Sequence, residues 1–409
     1  MHHKSMVKKI LTILLLMPIL FQVQGQQMKR LVGANTQWTV DDDGSADFTT
    51  IQDAIDHANS GDTVFVHNGI YYENIVVPKT LSLVGENRNA TIIDGNSSGT
   101  VLRVTANNVY FQGFTIQNGG REGHLFDTSG ILLFCYTEGA EISGNNIVNC
   151  EVGIYLYVST GNYVHDNYVS NISFYGILMD YSDWPSNVIS NNIVVNCEFG
   201  IGLDFSRGHY IDNNTITNSS WYGIYIFWRS DSNMITGNSI SESMIGIYLQ
   251  NTLGNTLKDN VVLYNKRSGI CLQSSNSSNI RCNRVKHNFE GVFLKSYSTD
   301  NTITNNLIDS NGVAVHLSTS ESNVISHNNF FNNSIMIEDP NSSKNIWDDG
   351  YPSGGNYWSD YTGVDLHSGP YQNVTGSDGI GDAQYFIETG NTDNYPLMGI
   401  VSDFNVTSE

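Results

Sequence analysis

The sequence predicts an all-β protein built as a right-handed parallel β-helix of about 22–25 residues per coil, with a short N-terminal cap helix and a loop-rich C-terminal module. Three observations predict this fold: a fixed repeat period, short apolar runs inside each repeat, and asparagine and glycine at fixed positions in it. A period in this range is typical of a solenoid, in which each repeat packs on the next.

Each repeat carries one asparagine and, a short step later, a glycine followed by an aliphatic residue. The asparagines are Asn145, Asn167, Asn192, Asn214, Asn238, Asn260, Asn283, Asn306 and Asn328. The glycines are Gly130, Gly153, Gly176, Gly200, Gly223, Gly246, Gly269 and Gly291. The apolar runs between them are short, rich in Ile, Val and Tyr, and often alternate with polar residues, which indicates strands. We therefore predict three short strands and three turns in each coil.

The recurring asparagines and glycines are expected to have a structural role. Coils stack about 4.8 Å apart, so equivalent side chains lie above one another. A column of Asn amides can hydrogen-bond along the stack, because each amide both donates and accepts. Asn also tolerates the left-handed backbone of a tight corner, and Gly suits a left-handed or crowded turn. We expect both residue types to shape the coils rather than to contact a ligand.

Ahead of the repeats, the sequence predicts a secretory signal peptide and a cap. Lys4, Lys8 and Lys9 precede the apolar run at residues 10–20, so residues 1–25 are excluded from the fold. No second apolar run follows, and we expect an extracytoplasmic protein, secreted or on the cell surface, with no integral membrane segment. Residues 26–61 are predicted as the cap, with a short helix over residues 48–55, and residues 62–345 as the β-helix. Residues 346–409 are predicted as a C-terminal acidic module.

Composition limits the possible partners. The chain has a net charge of −21, although only 14% of its residues are charged. Such a protein repels polyanions, which excludes nucleic acid and disfavours acidic polysaccharides unless a cation bridges them. Of the five cysteines, Cys150 and Cys197 fall at one coil position two coils apart, too far for a disulfide. A pair between Cys271 and Cys282 is open only if the two face each other across one coil.

Two stretches carry a resemblance to known families. Residues 43–55, DGSADFTTIQDAI, look like the start of pectin methylesterases and related right-handed β-helix proteins, and residues 69–74 and 83–87 continue the likeness. The repeats from about residue 100 to 337 resemble the NosD-like family, whose repeat is the CASH type of carbohydrate-binding and sugar-hydrolase proteins. The resemblance implies the fold and, through NosD, an association with copper.

The resemblance does not extend to catalytic motifs or to a copper site. Gly123-His124 and Gly208-His209 both lack the following Gly of polygalacturonases, and the downstream motifs of pectin methylesterases and pectate lyases are absent from the sequence. Copper favours clustered Met, His or Cys, whereas the four methionines of the repeats are dispersed. A direct copper role is therefore the least favoured reading.

The C-terminal segment resembles a module that follows the repeats of many secreted NosD-like proteins. It reads GGNYWSDY at residues 354–361, DGIGD at 378–382 and DNYPLM at 393–398. Asp378 and Asp382 place two hard oxygen ligands on one flexible turn, an arrangement typical of calcium loops, although the spacing is not that of an EF-hand. Calcium is the only cofactor predicted, and a solvated turn without metal is the alternative.

One candidate site emerges from the strand that follows each Gly. Its second and fourth residues after Gly are expected to face outward, which places Asp180 and Asp204 about one coil, or roughly 5 Å, apart. Two carboxylates at this distance raise each other's pKa or share a cation, and the separation matches that of a retaining glycosidase pair. The aromatic residues predicted to bind sugar rings around the pair are Tyr157, Trp184, Tyr225, Phe227 and Trp228.

The leading hypothesis is a secreted or cell-surface β-helix protein that binds a polysaccharide or other glycan without clear catalysis. The second is a polysaccharide lyase, epimerase or hydrolase that uses Asp180 and Asp204. The third is a structural envelope or adhesion protein. The sequons at Asn89, Asn171, Asn218 and Asn373 would permit glycosylation.

Overall fold

The computed structural model describes residues 35–120, 128–339, 344–388 and 391–401. Their main architecture is a parallel β-helix of about 13 turns, and the fold class predicted from the repeats is confirmed. Each regular coil has three strands, as predicted. The signal-peptide prediction and the Gly123-His124 pair lie outside the described residues.

The first strands of successive coils form a sheet of 13 parallel strands. They are Gln37–Val40, Thr63–Val66, Ser82–Gly85, Tyr110–Gln112, Glu141–Ser143, Tyr163–His165, Val188–Ser190, Tyr210–Asp212, Met234–Thr236, Thr256–Lys258, Asn279–Arg281, Thr302–Thr304 and Val324–Ser326.

The second strands pair with one another in the same way. They are Gly69–Tyr71, Thr91–Asp94, Thr115–Gln117, Asn146–Val148, the first parts of Tyr168–Asp180 and Ile193–Asp204, then Thr215–Thr217, Ser239–Ser241, Val261–Leu263, Arg284–Lys286, Leu307–Asp309, Asn329–Phe331 and Tyr357–Trp358. In Tyr168–Asp180 and Ile193–Asp204, the second and third strands of the coil run on without a break, which joins their two sheets.

The third strands carry the candidate site. They are Ile75–Val77, Leu102–Val104, Ser129–Phe134, Val152–Tyr157, the last parts of Tyr168–Asp180 and Ile193–Asp204, then Tyr222–Phe227, Ile245–Gln250, Ser268–Gln273, Glu290–Lys295, Val313–Ser318 and Ile335–Glu338. The outward side of these strands is called the third-strand face below.

A short helix at Ile51–His57 covers the first coil, as the apolar spacing predicts. Ile51, Ala54 and Ile55 are buried on the main core. Glu73 accepts hydrogen bonds from the backbone N–H groups of Ile51 and Gln52, at 2.8 and 2.9 Å, and so satisfies the free donors of the first turn. The helix thereby shields an edge of the solenoid that would otherwise be open to pairing.

The interior is a continuous column of aliphatic side chains, one layer per coil, with a buried Asn ladder at its corner. Each ladder asparagine donates its backbone N–H to the side-chain oxygen of the next, at 2.9–3.1 Å, from Asn145 to Asn328 and on to Asn356. Because the amides satisfy buried backbone groups as well as each other, the predicted column is confirmed.

The prediction that the ladder asparagines adopt the left-handed corner was wrong. The left-handed residue is the one before each, as at Asp166 (φ 55°) and Asn191 (φ 54°). For the recurring glycines the structure shows the crowded turn and not the left-handed one: they keep negative φ, and a Cβ on Gly153 would lie 2.4 Å from the Gly176 carbonyl oxygen of the next coil. The ladder side chains must point inward to hydrogen-bond, so the turn is made by their exposed neighbours.

The C-terminal segment closes the ladder. Tyr357–Trp358 pairs with Asn329–Phe331, and Trp358 is buried beside Phe330 at 4.5 Å between ring centroids. The Asp393 carboxylate then accepts hydrogen bonds from the backbone N–H of Asn356 and from the Trp358 indole, at 2.8 and 2.9 Å. Short antiparallel pairs complete the segment, His367–Ser368 with Val374–Thr375 and Tyr385–Glu388 with Asn391–Asp393.

All five cysteines are free thiols. Cys150, Cys197 and Cys271 are buried, whereas Cys135 and Cys282 are half-buried at corners with positive φ. The stability of the chain therefore rests on packing and on the ladder, with no disulfide.

Replacing Asn238 by Ala is expected to lower the free energy of unfolding by about 2–4 kcal/mol, because buried groups lose their partners. The side-chain oxygen of Asn238 accepts from the backbone and side-chain N–H groups of Asn214, and its amide donates to the Ile211 carbonyl. Urea denaturation measures the change. Asn279→Ala is the control, because the side-chain oxygen of Asn279 has no hydrogen-bond partner, and an equal loss in both variants would contradict the ladder's role.

Candidate functional site

The candidate acids lie side by side, as the spacing predicts. Asp180 and Asp204 are register partners on adjacent third strands, which places their Cα atoms about 4.8 Å apart. Tyr157 pairs with Asp180 on one side and Phe227 with Asp204 on the other. Side chains alternate along a strand, so Met179, the residue before Asp180, points into the core. The side chains of the four register partners point outward.

The outward positions two residues after Gly are not open to solvent. Tyr155 is 1% exposed and Leu178 is 4% exposed, because large side chains on neighbouring coils cover one another. Together with Leu132, Val152 and Tyr175 they form a second apolar cluster outside the main core. The third-strand face is therefore a packed aromatic layer, on whose edge the two carboxylates lie.

Gly202 makes room for this layer. A Cβ on Gly202 would lie 2.4 Å from Cε1 of Tyr175, so any larger residue would displace that ring. The Tyr175 ring stacks on Phe199 at 4.7 Å, and Phe199 stacks on Tyr225 at 5.7 Å. A continuous row of flat rings thus runs alongside the Asp180–Asp204 pair.

Asp180 has a local partner. The Tyr155 hydroxyl donates to its Oδ2 at 2.9 Å. The same link recurs further along the face, where Tyr225 donates to Gln250 and Tyr248 donates to Gln273. One oxygen of Asp180 therefore accepts the same tyrosine hydrogen bond that Gln250 and Gln273 accept elsewhere on the face.

One oxygen of each carboxyl lacks such a partner. Among the described residues, Oδ1 of Asp180 and Oδ1 of Asp204 are buried atoms with no hydrogen-bond donor. Burial raises the pKa of both carboxyls, and the neighbouring Asp180 charge helps to raise that of Asp204 to about 7. Near neutral pH the pair can therefore hold one proton, with one group neutral and the other charged.

The structure adds aromatic residues that the sequence reasoning missed. Tyr181 and Phe205, at the corner directly after each aspartate, stack with ring centroids 5.0 Å apart. Trp228 follows Phe227 at the same corner and is half exposed, and Tyr225 and Phe227 stack at 4.7 Å. Tyr181, Phe205 and Trp228 each stand five residues after a recurring Gly. An aromatic residue repeated at that position was the signal in the sequence.

Trp184 does not lie with the aromatic residues beside the Asp180–Asp204 pair. It lies beyond the corner on the turn that follows Asp180 and is 85% exposed. Among the described residues its ring stacks on no other aromatic side chain. A role for Trp184 in sugar binding thus stays a prediction.

The proposed calcium residues act as turn acceptors. Asp382 accepts from the backbone N–H groups of Leu366 and His367 and lies 2.8 Å from Nδ1 of His367. Asp378 accepts from the backbone of Gly369 and Ile380. Within the described residues, no group of three or more His, Cys, Asp or Glu side chains is placed to hold a metal ion. Calcium at Asp378 and Asp382 remains a prediction.

Fold and repeat define a β-helix protein, and the sequence comparison places it in a family. The chain matches the model of the family described as periplasmic copper-binding protein (NosD) over residues 55–253 and 222–363, and it belongs to that family. The resemblance read from the repeats is thereby confirmed. No helix in the described parts of the chain is long and apolar enough to cross a bilayer.

One curated relative and several solved structures are similar to this chain. A cell surface glycoprotein of Methanothermus fervidus is 32% identical over 337 residues, which cover 77% of this chain and 51% of the relative. The chain thus spans about half the length of this relative.

The solved structures share the architecture at low sequence identity. The Dettilon tailspike protein has a TM-score of 0.58 at 15% identity, covering 73% of this chain and 64% of the tailspike. The catalytic unit of a GH87 α-1,3-glucanase from Streptomyces thermodiastaticus has a TM-score of 0.57 at 15% identity, covering 81% and 68%. A mannuronic acid-specific family 6 lyase from human gut microbiota has 0.53 at 13%, covering 75% and 92%. These likenesses show the fold alone.

The raised pKa values predict that stability falls as the pH rises from about 4 to about 7. Over that range the folded pair holds more protons than the unfolded chain, so each increase in pH favours unfolding. Asp204→Asn removes this loss, and its Tm is expected to exceed that of the wild type by a few degrees at pH 8 and to match it at pH 4. Differential scanning calorimetry measures both.

Glu242→Gln is the control for this comparison, since Glu242 is an exposed corner residue whose side chain forms no ion pair among the described residues. Its effect on Tm should be the same at the two pH values. A pH-independent difference between the wild type and Asp204→Asn would contradict the proton-sharing pair.

Proposed function

We propose that this protein is an extracytoplasmic, cell-surface β-helix protein that binds a glycan on its third-strand face. The binding surface runs from Tyr157 across Asp180 and Asp204 to Phe227 and Trp228. Sugar rings would lie on the aromatic faces, and the carboxylates would accept hydrogen bonds from sugar hydroxyls.

One observation carries the proposal: two adjacent carboxylates with unpaired buried oxygens lie beside stacked rings on one face. Apolar rings present flat surfaces to the C–H faces of sugars, whereas an unpaired carboxylate oxygen is costly unless a donor reaches it. A glycan supplies both an apolar ring face and hydroxyl donors. Stacked residues with no ligand would leave the oxygens without a partner.

The comparisons support the location and the class of partner. The Methanothermus relative is named a cell surface glycoprotein, and the family is described as periplasmic, so an extracytoplasmic location fits both. Two solved structures of similar fold come from enzymes named for polysaccharides. A surface β-helix with exposed sequons at Asn171 and Asn218 also fits a glycosylated protein.

Catalysis on the same pair is the second candidate. Its support is the unequal environment of the two acids, because Asp180 is hydrogen-bonded by Tyr155 and Asp204 is not. A pair that shares a proton could supply an acid and a base or nucleophile at about the separation that a retaining glycosidase uses.

Copper fits the described residues poorly. The family description names copper, but no cluster of three or more His, Cys, Asp or Glu side chains occurs among the residues that the structure describes. Met179 is buried in the interior, Met234 and Met244 lie at different corners of one coil, and Met336 lies in the last third strand. We therefore propose no copper function.

A glycan array probed with residues 26–409, with and without calcium, tests the proposal. We expect binding to at least one glycan, reduced about tenfold in Tyr181→Ala because a stacking surface worth roughly 1.4 kcal/mol is lost. The double variant Asp180→Asn/Asp204→Asn should lose binding further, and product formation from the bound glycan would favour the catalytic candidate. Dependence on calcium would support the Asp378–Asp382 prediction.

Tyr264→Ala is the matched control. Tyr264 is also a left-handed corner residue, is 58% exposed against 53% for Tyr181, and stacks on one ring, that of His287. It lies at a corner between the second and third strands, away from the acid pair. Equal losses in the two tyrosine variants, or no binding to any glycan, would count against the proposed surface.

A further inference from the structure

The third-strand face continues past Phe227 into coils of different chemistry. Tyr248, Cys271, Phe293 and His316 follow Tyr225 in the same outward column. Ile245, Tyr248, Cys271 and Phe293 form a separate buried cluster there. We call Tyr248, Arg267, Phe293, Lys295 and His316 the basic half of the face.

Positive charge is concentrated in this part of the chain. Residues 258–295 contain seven of the 19 lysines and arginines but only two acids, a local net charge of +5 in a chain of −21. The cations are Lys258, Lys266, Arg267, Arg281, Arg284, Lys286 and Lys295. The repulsion of polyanions expected from total charge therefore does not apply to these coils.

A buried acid organises the basic half. Glu290 is 4% exposed, accepts from the Ser268 hydroxyl, and lies 2.8 Å from Nδ1 of His316 and 3.8 Å from Nε of Arg267. Burial raises its pKa, but the hydrogen bonds from His316 and Ser268 outweigh this and lower the pKa below its ordinary value. Glu290 thus stays ionised and orients Arg267 and His316.

Lys295 is differently placed. Its ammonium lies 5.4 Å from the ring centroids of both Tyr248 and Phe293, and the Arg267 guanidinium lies 6.0 Å from the Phe293 centroid. Among the described residues Lys295 forms no ion pair with a carboxylate. Two cations therefore lie near one aromatic ring, and the described contacts of the Lys295 ammonium are with rings and not with a carboxylate.

We infer that the basic half recognises an anionic substituent of the glycan, a uronate carboxylate or a sulfate, between Lys295 and Arg267. This rests on the proposed function of the face. Lys295 follows Asp204 by four coils, which is about 19 Å at the coil spacing, so a ligand that reaches both is an oligosaccharide. The acid pair repels an anion at its own end of the face. This repulsion helps to fix the direction in which the oligosaccharide lies.

Two pairs of polymers that differ only in charge test the inference: oligogalacturonate against its methyl ester, and dextran sulfate against dextran. Biolayer interferometry at low and high salt measures each affinity. We expect the wild type to bind the charged member of at least one pair about tenfold more tightly, with the preference reduced by salt. The polymer pair that shows the preference identifies the recognised anion as a carboxylate or as a sulfate.

Lys295→Gln should abolish this preference, and it should lower the affinity for the charged member more than the affinity for the uncharged member. The single substitution keeps the contacts of Glu290 with Arg267 and His316, and thermal unfolding checks that the variant folds. Lys258→Gln is the control, because it removes the same charge from a first strand.

Equal losses in the Lys295 and Lys258 variants would assign the effect to net charge and overturn the inference. Equal affinity of the wild type for charged and uncharged members would overturn it and leave the proposed function standing. Binding to none of the four polymers would overturn the inference, whereas the proposed function is decided separately by the glycan array.

Discussion

The hydrogen-bonded stacking of the coils is the constraint on which the rest of the structure depends. At about 4.8 Å per coil, every residue lies directly above its counterpart, so each position becomes a column. Inside, the columns must be aliphatic or able to pair with themselves, and asparagine satisfies the second condition at the ladder corner. Outside, the same spacing brings ordinary side chains into contact and makes Asp180 and Asp204 a pair.

The sequence was sufficient for the architecture because its signals repeat. A single Asn or Gly means little, but the regular spacing of Asn145 to Asn328 admits few other folds. The backbone geometry of the corners was harder to assign, since αL conformation and amide pairing both favour Asn. Only the structure shows that neighbouring residues divide these tasks, with the turn at Asp166 and the pairing at Asn167.

The candidate site was predictable where it followed strand alternation and unpredictable where it depended on packing. Register alone placed Asp180 beside Asp204. The covering of Tyr155 by neighbouring coils, and the space that Gly202 leaves for Tyr175, depend on side-chain volumes in three coils at once. His209 is a similar case: its sequence context looks like a broken catalytic motif, yet the residue is buried and takes the place of an asparagine, accepting from the backbone N–H of Asn187.

The ladder also has a direction. Each backbone N–H points toward the next coil, so the row of amide dipoles is aligned and presents donors at its C-terminal end. The carboxylate of Asp393 meets that end, much as an anion meets the first turn of an α-helix. Because every rung is equivalent and only the last needs an acid, a whole coil can be gained or lost within the ladder without altering either terminus. The length of such a protein can therefore change in steps of one coil while its ends stay the same.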